Sequence, residues 1–400
     1  MQTEQRVHAL GRGGRLTKWK GKVASVAPSL LFLSTSVLAI SAGSVVLGEV
    51  VNVAQSTPLI SAVNEDHTIT ASGAINVNPL LGPGVVEINV ADYSGTLTNA
   101  GQLSSPEGNL RTRSAVDLNG DLSGVVLNSG AISMSAAIGD SADLRGVDVS
   151  GNVTGLVQNT GTIRVANSAL TFGTAIGISA SDIDGEVSNS GTIELMVDTS
   201  SSAKARGIRA TTVGGAVRNT GTITIQMSAN GSATVGDAFQ LGAVTGTVEN
   251  TGSIQVVGTN GQTVNTNGIE VSDLTGTLIN SGGISIGANA VNTAVGNGIE
   301  VSTIFGRFEN SGDITITTAG NSGDAYFDII ETNNVSGSVL NTGQLTGFAI
   351  ASSASVDGID AGDVLASGTY ENAGLIRIQA VGTSSAARAD ALDFSQIDGR

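Results

Sequence analysis

One pattern recurs through most of this 400-residue chain: Gly-x-[Val/Leu]-x-Asn-[Ser/Thr]-Gly-x-Ile. Its asparagines are Asn99, Asn128, Asn159, Asn189, Asn219, Asn250, Asn280, Asn310, Asn341 and Asn372, spaced 29 to 31 residues apart at every step. Each has a glycine four positions earlier, from Gly95 to Gly368. A period this regular implies a stack of like units, each burying its apolar face against its neighbours.

Within a unit the apolar residues alternate with polar ones. Two positions before the asparagine stand Leu97, Val126, Val157, Val187, Val217, Val248, Leu278, Phe308, Val339 and Tyr370; four after it stand Leu103, Ile132, Ile163, Ile193, Ile223, Ile254, Ile284, Ile314, Leu345 and Ile376. The position just before the asparagine takes any residue, from Gln158 to Arg218 to Leu340. Alternation at period two marks half-buried strands, with one phase inside and the other in water. No unit carries an amphipathic helical stretch, which excludes helical solenoids and repeats with long helices. The pattern predicts an all-β chain, a right-handed parallel β-helix (β-solenoid) of about 30 residues per coil, with three short strands per coil. At about 4.8 Å per rung, ten coils span roughly 50 Å.

Asparagine and glycine both tolerate the left-handed conformation that a sharp corner needs, so they read as turn formers. The asparagines also fall on the inward parity. Their amides are therefore expected to stack into a ladder that satisfies buried polar groups from coil to coil.

Aromatic residues are 3% of the chain and glycines number 55, which suits a flattened core of small aliphatic side chains. There is no cysteine, as expected for an exported protein that avoids disulfide chemistry. The formal charge is −16, made of +5 in residues 1–42 and −21 in the remainder. That balance argues against nucleic acid or anionic lipid as a partner.

Residues 1–22 are basic, Val23–Ile40 is apolar, and Ser41-Ala42-Gly43-Ser44 is small, which is the order of a secretory signal. The domain reading is a signal peptide over 1–42 with no clean cleavage motif, an N-terminal cap with degenerate first coils over 43–98, and β-helix repeats over 99–400. An uncleaved anchor is the rival reading of the first segment, which Pro28 and the intervening serines disfavour. In the cap, Ala71-Ser72-Gly73-Ala74-Ile75 aligns with the repeat, with Ala71 in the asparagine place and His67 in the glycine place. His67 is expected in a cap or on the surface. Residues 391–400 begin another unit, so a longer protein is expected, truncated here in mid-repeat.

Signal, degenerate cap and Gly-rich Asn-[Ser/Thr]-Gly-x-Ile repeats together resemble the passenger region of bacterial autotransporters (type V secretion). The resemblance implies export to the bacterial cell surface, outer membrane or extracellular space. It also implies an outer-membrane β-barrel beyond residue 400, and surface ligands or other cells as partners. A second resemblance, to haemagglutinin-like or matrix exoproteins of two-partner secretion, rests on Asn76-Val77-Asn78-Pro79-Leu80, a poor match to their Asn-Pro-Asn motifs.

For chemistry the sequence offers little. His67 and Lys204 are the only histidine and lysine after residue 42, no Gly-Asp-Ser-Gly motif occurs, and the Ca²⁺-binding nonapeptide pattern is absent. No catalytic or cofactor-binding residues are assigned. A polysaccharide lyase or hydrolase remains as the alternative to a structural or adhesive rod, and would need a sheet of Asp, Arg or aromatic residues on one face. Two acidic columns stand out: Glu270, Glu300 and Glu331, ten residues before the asparagine, and Asp121, Asn152 and Asp182, seven before it. Stacked carboxylates about 5 Å apart repel. A divalent cation, with Ca²⁺ as the only cofactor candidate, or raised pKa values would relieve them. The alternative is a solvated stripe with splayed side chains. Arg164 with Glu194 and Arg218 with Glu249 are expected to pair across rungs. Variable segments such as 226–236 and 287–293 are expected to be the loops that meet partners.

Overall fold

A computed structural model describes residues 48–77, 84–105, 112–137, 139 and 141–398. They all belong to the compact unit Ser41–Arg400. Residues 1–42, expected to be a signal peptide, and residues 43–47 of the expected cap lie outside the described residues.

Every regular element among the described residues is a strand, and every pairing is parallel to the strand one coil away. The strands form three sheets of 12, 14 and 12 strands that run the length of the stack. The chain is therefore a parallel β-solenoid. A representative coil runs through Ala216–Asn219, Thr222–Ala229 and Ala233–Val244. The first strand is short and ends on the repeat asparagine. The second begins at the Thr-Ile that follows. The third is a long strand of 12 residues, so the coil has two shorter strands and one long one rather than three alike.

The apolar columns read from the sequence line the interior: Val187, Val217 and Val248 are fully buried, as are Ile193, Ile223 and Ile254. They stack in register, Val187 on Val217 on Val248 and Ile193 on Ile223 on Ile254. Burial of like side chains on like keeps every coil the same width and so propagates the register.

The glycines serve a purpose other than the one their conformational freedom suggested. Among the described residues, Gly139 is the only glycine with a left-handed φ, and Asn260 the only other such residue. The repeat glycines and asparagines turn without it. A Cβ on Gly215 would instead come within 2.0 Å of the Gly185 carbonyl oxygen, and one on Gly221 within 2.1 Å of the Gly191 oxygen. The corners stack backbone on backbone, and only a residue with no side chain fits.

The segments expected to be variable loops are mostly strand. Residues 226–229 continue Thr222–Ala229 and residues 233–236 begin Ala233–Val244, leaving a turn of three residues between them. Met227, Ala229 and Thr234 are buried within this supposed loop. Likewise only residues 291 and 292 separate Gly283–Ala290 from Thr293–Ile304. Alternation of small residues such as Ala288 and Ala290 hides a buried phase because Ala, Gly and Ser are not read as apolar core.

The first coils stack on the same sheets with altered alignment. His67 pairs with Leu97 and Ile69 with Asn99, while Ile75 pairs with Leu103. Two extra residues are taken up in a turn closed by the Gly73 amide donating to the Thr70 carbonyl at 2.8 Å. Ile69, not Ala71, therefore holds the asparagine column, and His67 holds the apolar column rather than the glycine place. His67 is buried, not on the surface. Its ring stacks on Tyr93 with centroids 6.3 Å apart, and neither ring nitrogen has a partner. Burial lowers its pKa, against the opposing pull of Glu65, Glu49 and Asp66.

Candidate functional site

Two lines of polar side chains run along the stack, one inside and one outside. The inside line is the asparagine column. Each Nδ2 donates to the Oδ1 of the next coil's asparagine at 2.6 to 2.8 Å, without a break from Asn99 to Asn372. The second amide hydrogen of most rungs is spent on a nearby carbonyl, as from Asn219 to Gly221. Donor and acceptor alternate along the column, so a buried polar atom at each rung is satisfied by the rung before it. The exception is the start. Asn99 Oδ1 has no partner, because the coil before it presents Ile69.

The outside line comes from a break in the long strand. In Ala233–Val244 the inward residues are Thr234 and Gly236, then Ala238, Phe239 and Leu241. The parity changes at Ala238, which with its equivalents drops out of the regular pairing. Two consecutive inward residues bend the strand toward its outer side. The outward residues on either side of the bend, three apart in sequence, then face one another. Arg145 and Asp148, one such pair, are 2.7 Å apart, and Asn297 Nδ2 reaches Glu300 at 3.3 Å and Glu331 at 2.7 Å.

Repetition turns this concave corner into a groove with two walls. One wall runs Arg206, Asp237, Asn267, Asn297, Asp328, Asp357 and Asp390. The other runs Arg209, Gln240, Glu270, Glu300, Glu331, Asp360 and Asp393. Glu270, Glu300 and Glu331 thus stack on successive rungs and are joined by Asp360 and Asp393. Sequence spacing hid Asp360 because residues 365–368 form a longer turn, with Gly368 donating to Leu365, which moves it to twelve residues before Asn372, and Asp393 has no repeat asparagine after it to be counted from. The facing aspartate wall was also missed. Its signal was available as a column three residues before each glutamate, visible once the parity break is known.

The groove is mixed in charge at its early end and acidic toward its late end. Glu87, Asp117 and Asp148 share its early end with Arg145, Arg206 and Arg209, and carboxylates without arginines follow on the two walls from Asp237 onward. Arg206 Nε lies 3.8 Å from Asp237 Oδ2 across one rung. Asp237 is 1% exposed although it faces outward, and its Oδ2 accepts no hydrogen bond. Burial, then the charge of Glu270, raises its pKa against the opposing Arg206. Burial and the neighbouring carboxylates push Asp328 up to about 8 and Glu331 up to about 7. Burial also raises Asp357, to about 6, with Arg388 opposing.

The other column behaves differently. Asp121 Oδ1 accepts from the Asn152 backbone amide at 2.8 Å, Asn152 Nδ2 donates to Asp184 at 2.7 Å, and Thr212 donates to Asp182. These side chains tie adjacent turns together. Arg164 lies 3.8 Å from Glu194, and Arg218 pairs with Glu249 as the register requires. A hollow lined by Val364, Tyr370, Asn372, Leu392, Phe394 and Ile397 lies at the last described coil.

No family model matches this chain, and neither does any curated protein or solved structure.

Proposed function

We propose that the chain is an exported structural and adhesive rod of the bacterial surface, carrying partner contacts on its sheet faces. The observation behind this reading is the uniform coil: three sheets with one register and short turns make a stiff spacer whose side faces repeat every rung. Repetition of a weak contact at a fixed spacing suits attachment through many sites at once. The passenger-like order of signal and repeats is the support for export, with an outer-membrane β-barrel beyond residue 400 as the expected partner in translocation and surface ligands or other cells as the outward partners. To test it, the full-length protein is expressed in a non-adherent bacterium. Antibody labelling of intact cells, with a gain of attachment or cell clumping over empty-vector cells, is expected. A cytoplasmic protein, or a displayed one with no gain, contradicts the proposal.

The acidic groove favours a second reading, a hydrolase acting on polysaccharide. It supplies the sheet of carboxylates on one face that such an enzyme needs, and Glu331 at about 7 holds a proton near neutrality, as a general acid must. Release of reducing ends from neutral and acidic polysaccharides, abolished in Glu331→Gln, would decide for this reading; no release by the folded chain decides against it.

A further inference from the structure

Within the groove the carboxylates are not evenly spread. Oxygens of Asp328, Asp357 and Asp360 all lie within 4.8 Å of one another. Asp328 comes from the strand Asp324–Val335, and Asp357 and Asp360 from the next coil's Ser353–Val364. Asp357 is 8% exposed, and its Oδ1 accepts no hydrogen bond. An acceptor-only oxygen that is shielded from water and set among other carboxylates can be satisfied only by a donor or a cation. The cation facing this region is Arg388, and its guanidinium is engaged by Asp390 and, at 2.5 Å, by Asp393. The alternative trio of Asp357, Asp390 and Asp393 therefore already has its counter-charge. Arg388 offsets Asp357 and Asp360 only in part, and among the described residues no ion pair reaches Asp328, Asp357 or Asp360.

We propose that Asp328, Asp357 and Asp360 form a binding site for a hard divalent cation, Ca²⁺ in preference to Mg²⁺, that clips two successive coils together. Three carboxylates are a hard, all-oxygen donor set, which selects Ca²⁺ or Mg²⁺ over softer metals. Ca²⁺ accepts irregular shells of carboxylate and water oxygens, whereas Mg²⁺ demands a near-ideal octahedron. Three carboxylate oxygens from two coils, all within 4.8 Å of one another, suit the more permissive ion. Asp328 and Asp360 are partly exposed, so water completes the shell from the groove. Glu270, Glu300 and Glu331 stack nearby without forming such a trio among the described residues. The site holds whether the rod is adhesive or catalytic.

The test is calorimetric titration of the full chain, stripped with EDTA, with Ca²⁺ alone and then Mg²⁺ alone. It is repeated on Asp357→Asn, Asp360→Asn and, as an acidic control elsewhere, Glu194→Gln. One saturable Ca²⁺ site is expected, with weaker Mg²⁺ binding. Loss of a ligand should weaken Ca²⁺ at least tenfold in either aspartate variant, with no change in Glu194→Gln. Ca²⁺ should also raise the melting temperature of the wild type but not of Asp357→Asn. Should Asp357→Asn fail to fold by circular dichroism, Asp360→Asn alone carries the comparison. Absence of saturable binding up to about 10 mM Ca²⁺ overturns the site, since even weak extracellular sites bind at about 1 mM. So does wild-type affinity in Asp360→Asn, or an equal loss in Glu194→Gln.

Discussion

On the inner face of the short-strand sheet, amide stands on amide from Asn99 to Asn372; along the outer corner of the long-strand sheet, from Asp237 onward, carboxylate stands mostly on carboxylate. Both columns are produced by the same coil repeat and the same one-rung spacing. An amide carries donor and acceptor together, so stacking satisfies it and burial is tolerated. A carboxylate carries only acceptors, so stacking adds repulsion to the cost of burial. The fold therefore fixes position, and side-chain chemistry decides whether position stabilises or stores a demand for protons or cations.

The inside–outside assignment beneath this comparison is broken most severely by a charge in the core. Ile223 is fully buried and Thr224 is partly exposed beside Glu194. Ile223→Asp is expected to cost about 3–5 kcal/mol and Thr224→Asp less than about 1 kcal/mol. Equal losses in thermal unfolding would show the parity to be wrong.

Moving the groove's chemistry into the ladder should come next. Asn219→Asp places a fully buried carboxylate against the Oδ1 of Asn250. It is expected to cost about 2–4 kcal/mol at pH 7 and less at pH 4, where the protonated form can donate. Asn219→Ala leaves Asn250 Oδ1 without its donor and should cost about 1–3 kcal/mol. Asn99→Ala should cost less than that, because Asn99 Oδ1 is already unpaired in the native coil. A larger loss at Asn99 than at Asn219 would mean that the ladder is not what stabilises these positions.

The smallest effect is a gain. Asp237→Asn should stabilise the chain at pH 8 by about 1 kcal/mol, because it removes a buried charge facing Glu270 and Glu300, even though Arg206 loses its partner.

How much of this was legible from sequence depends on whether the signal was periodic. The period, the aliphatic columns around Val217 and Ile223, and the inward parity of the asparagines all follow from alternation, and the structure places them accordingly. His67 and Ala71 were misaligned because an insertion of two residues shifts spacing without changing composition. The supposed loops at 226–236 are mostly strand, their buried phase of Met227, Ala229, Thr234 and Gly236 being too mixed in residue type to read as an apolar column. The glycines were attributed to φ, whereas their stacking on carbonyl oxygens depends on the neighbouring coil, which a single repeat does not display. The groove was half visible: Glu270, Glu300 and Glu331 stood out as a column, but Asp328 and Asp357 meet them only through a bend that breaks period two. Three-dimensional convergence, not spacing, brings the carboxylates together.

The central claim is that the outer column is under a demand for protons that the inner column is not. A carboxyl with a raised pKa keeps its proton in the folded state where the unfolded chain, at about 4, has lost it. The folded state then binds more protons, and stability falls as pH rises above that unfolded value. His67 acts in the opposite sense, since a buried neutral imidazole loses stability as pH falls below about 6.5, so the wild-type curve alone mixes the two. The direct measurement is the difference in melting temperature between Asp237→Asn and wild type, in EDTA, from pH 4 to pH 8. The difference should be near zero at pH 4 and grow in favour of the variant toward pH 8. A variant that becomes less stable than wild type as pH rises would show that the stacked carboxylates stabilise the fold when ionised, and would contradict the account.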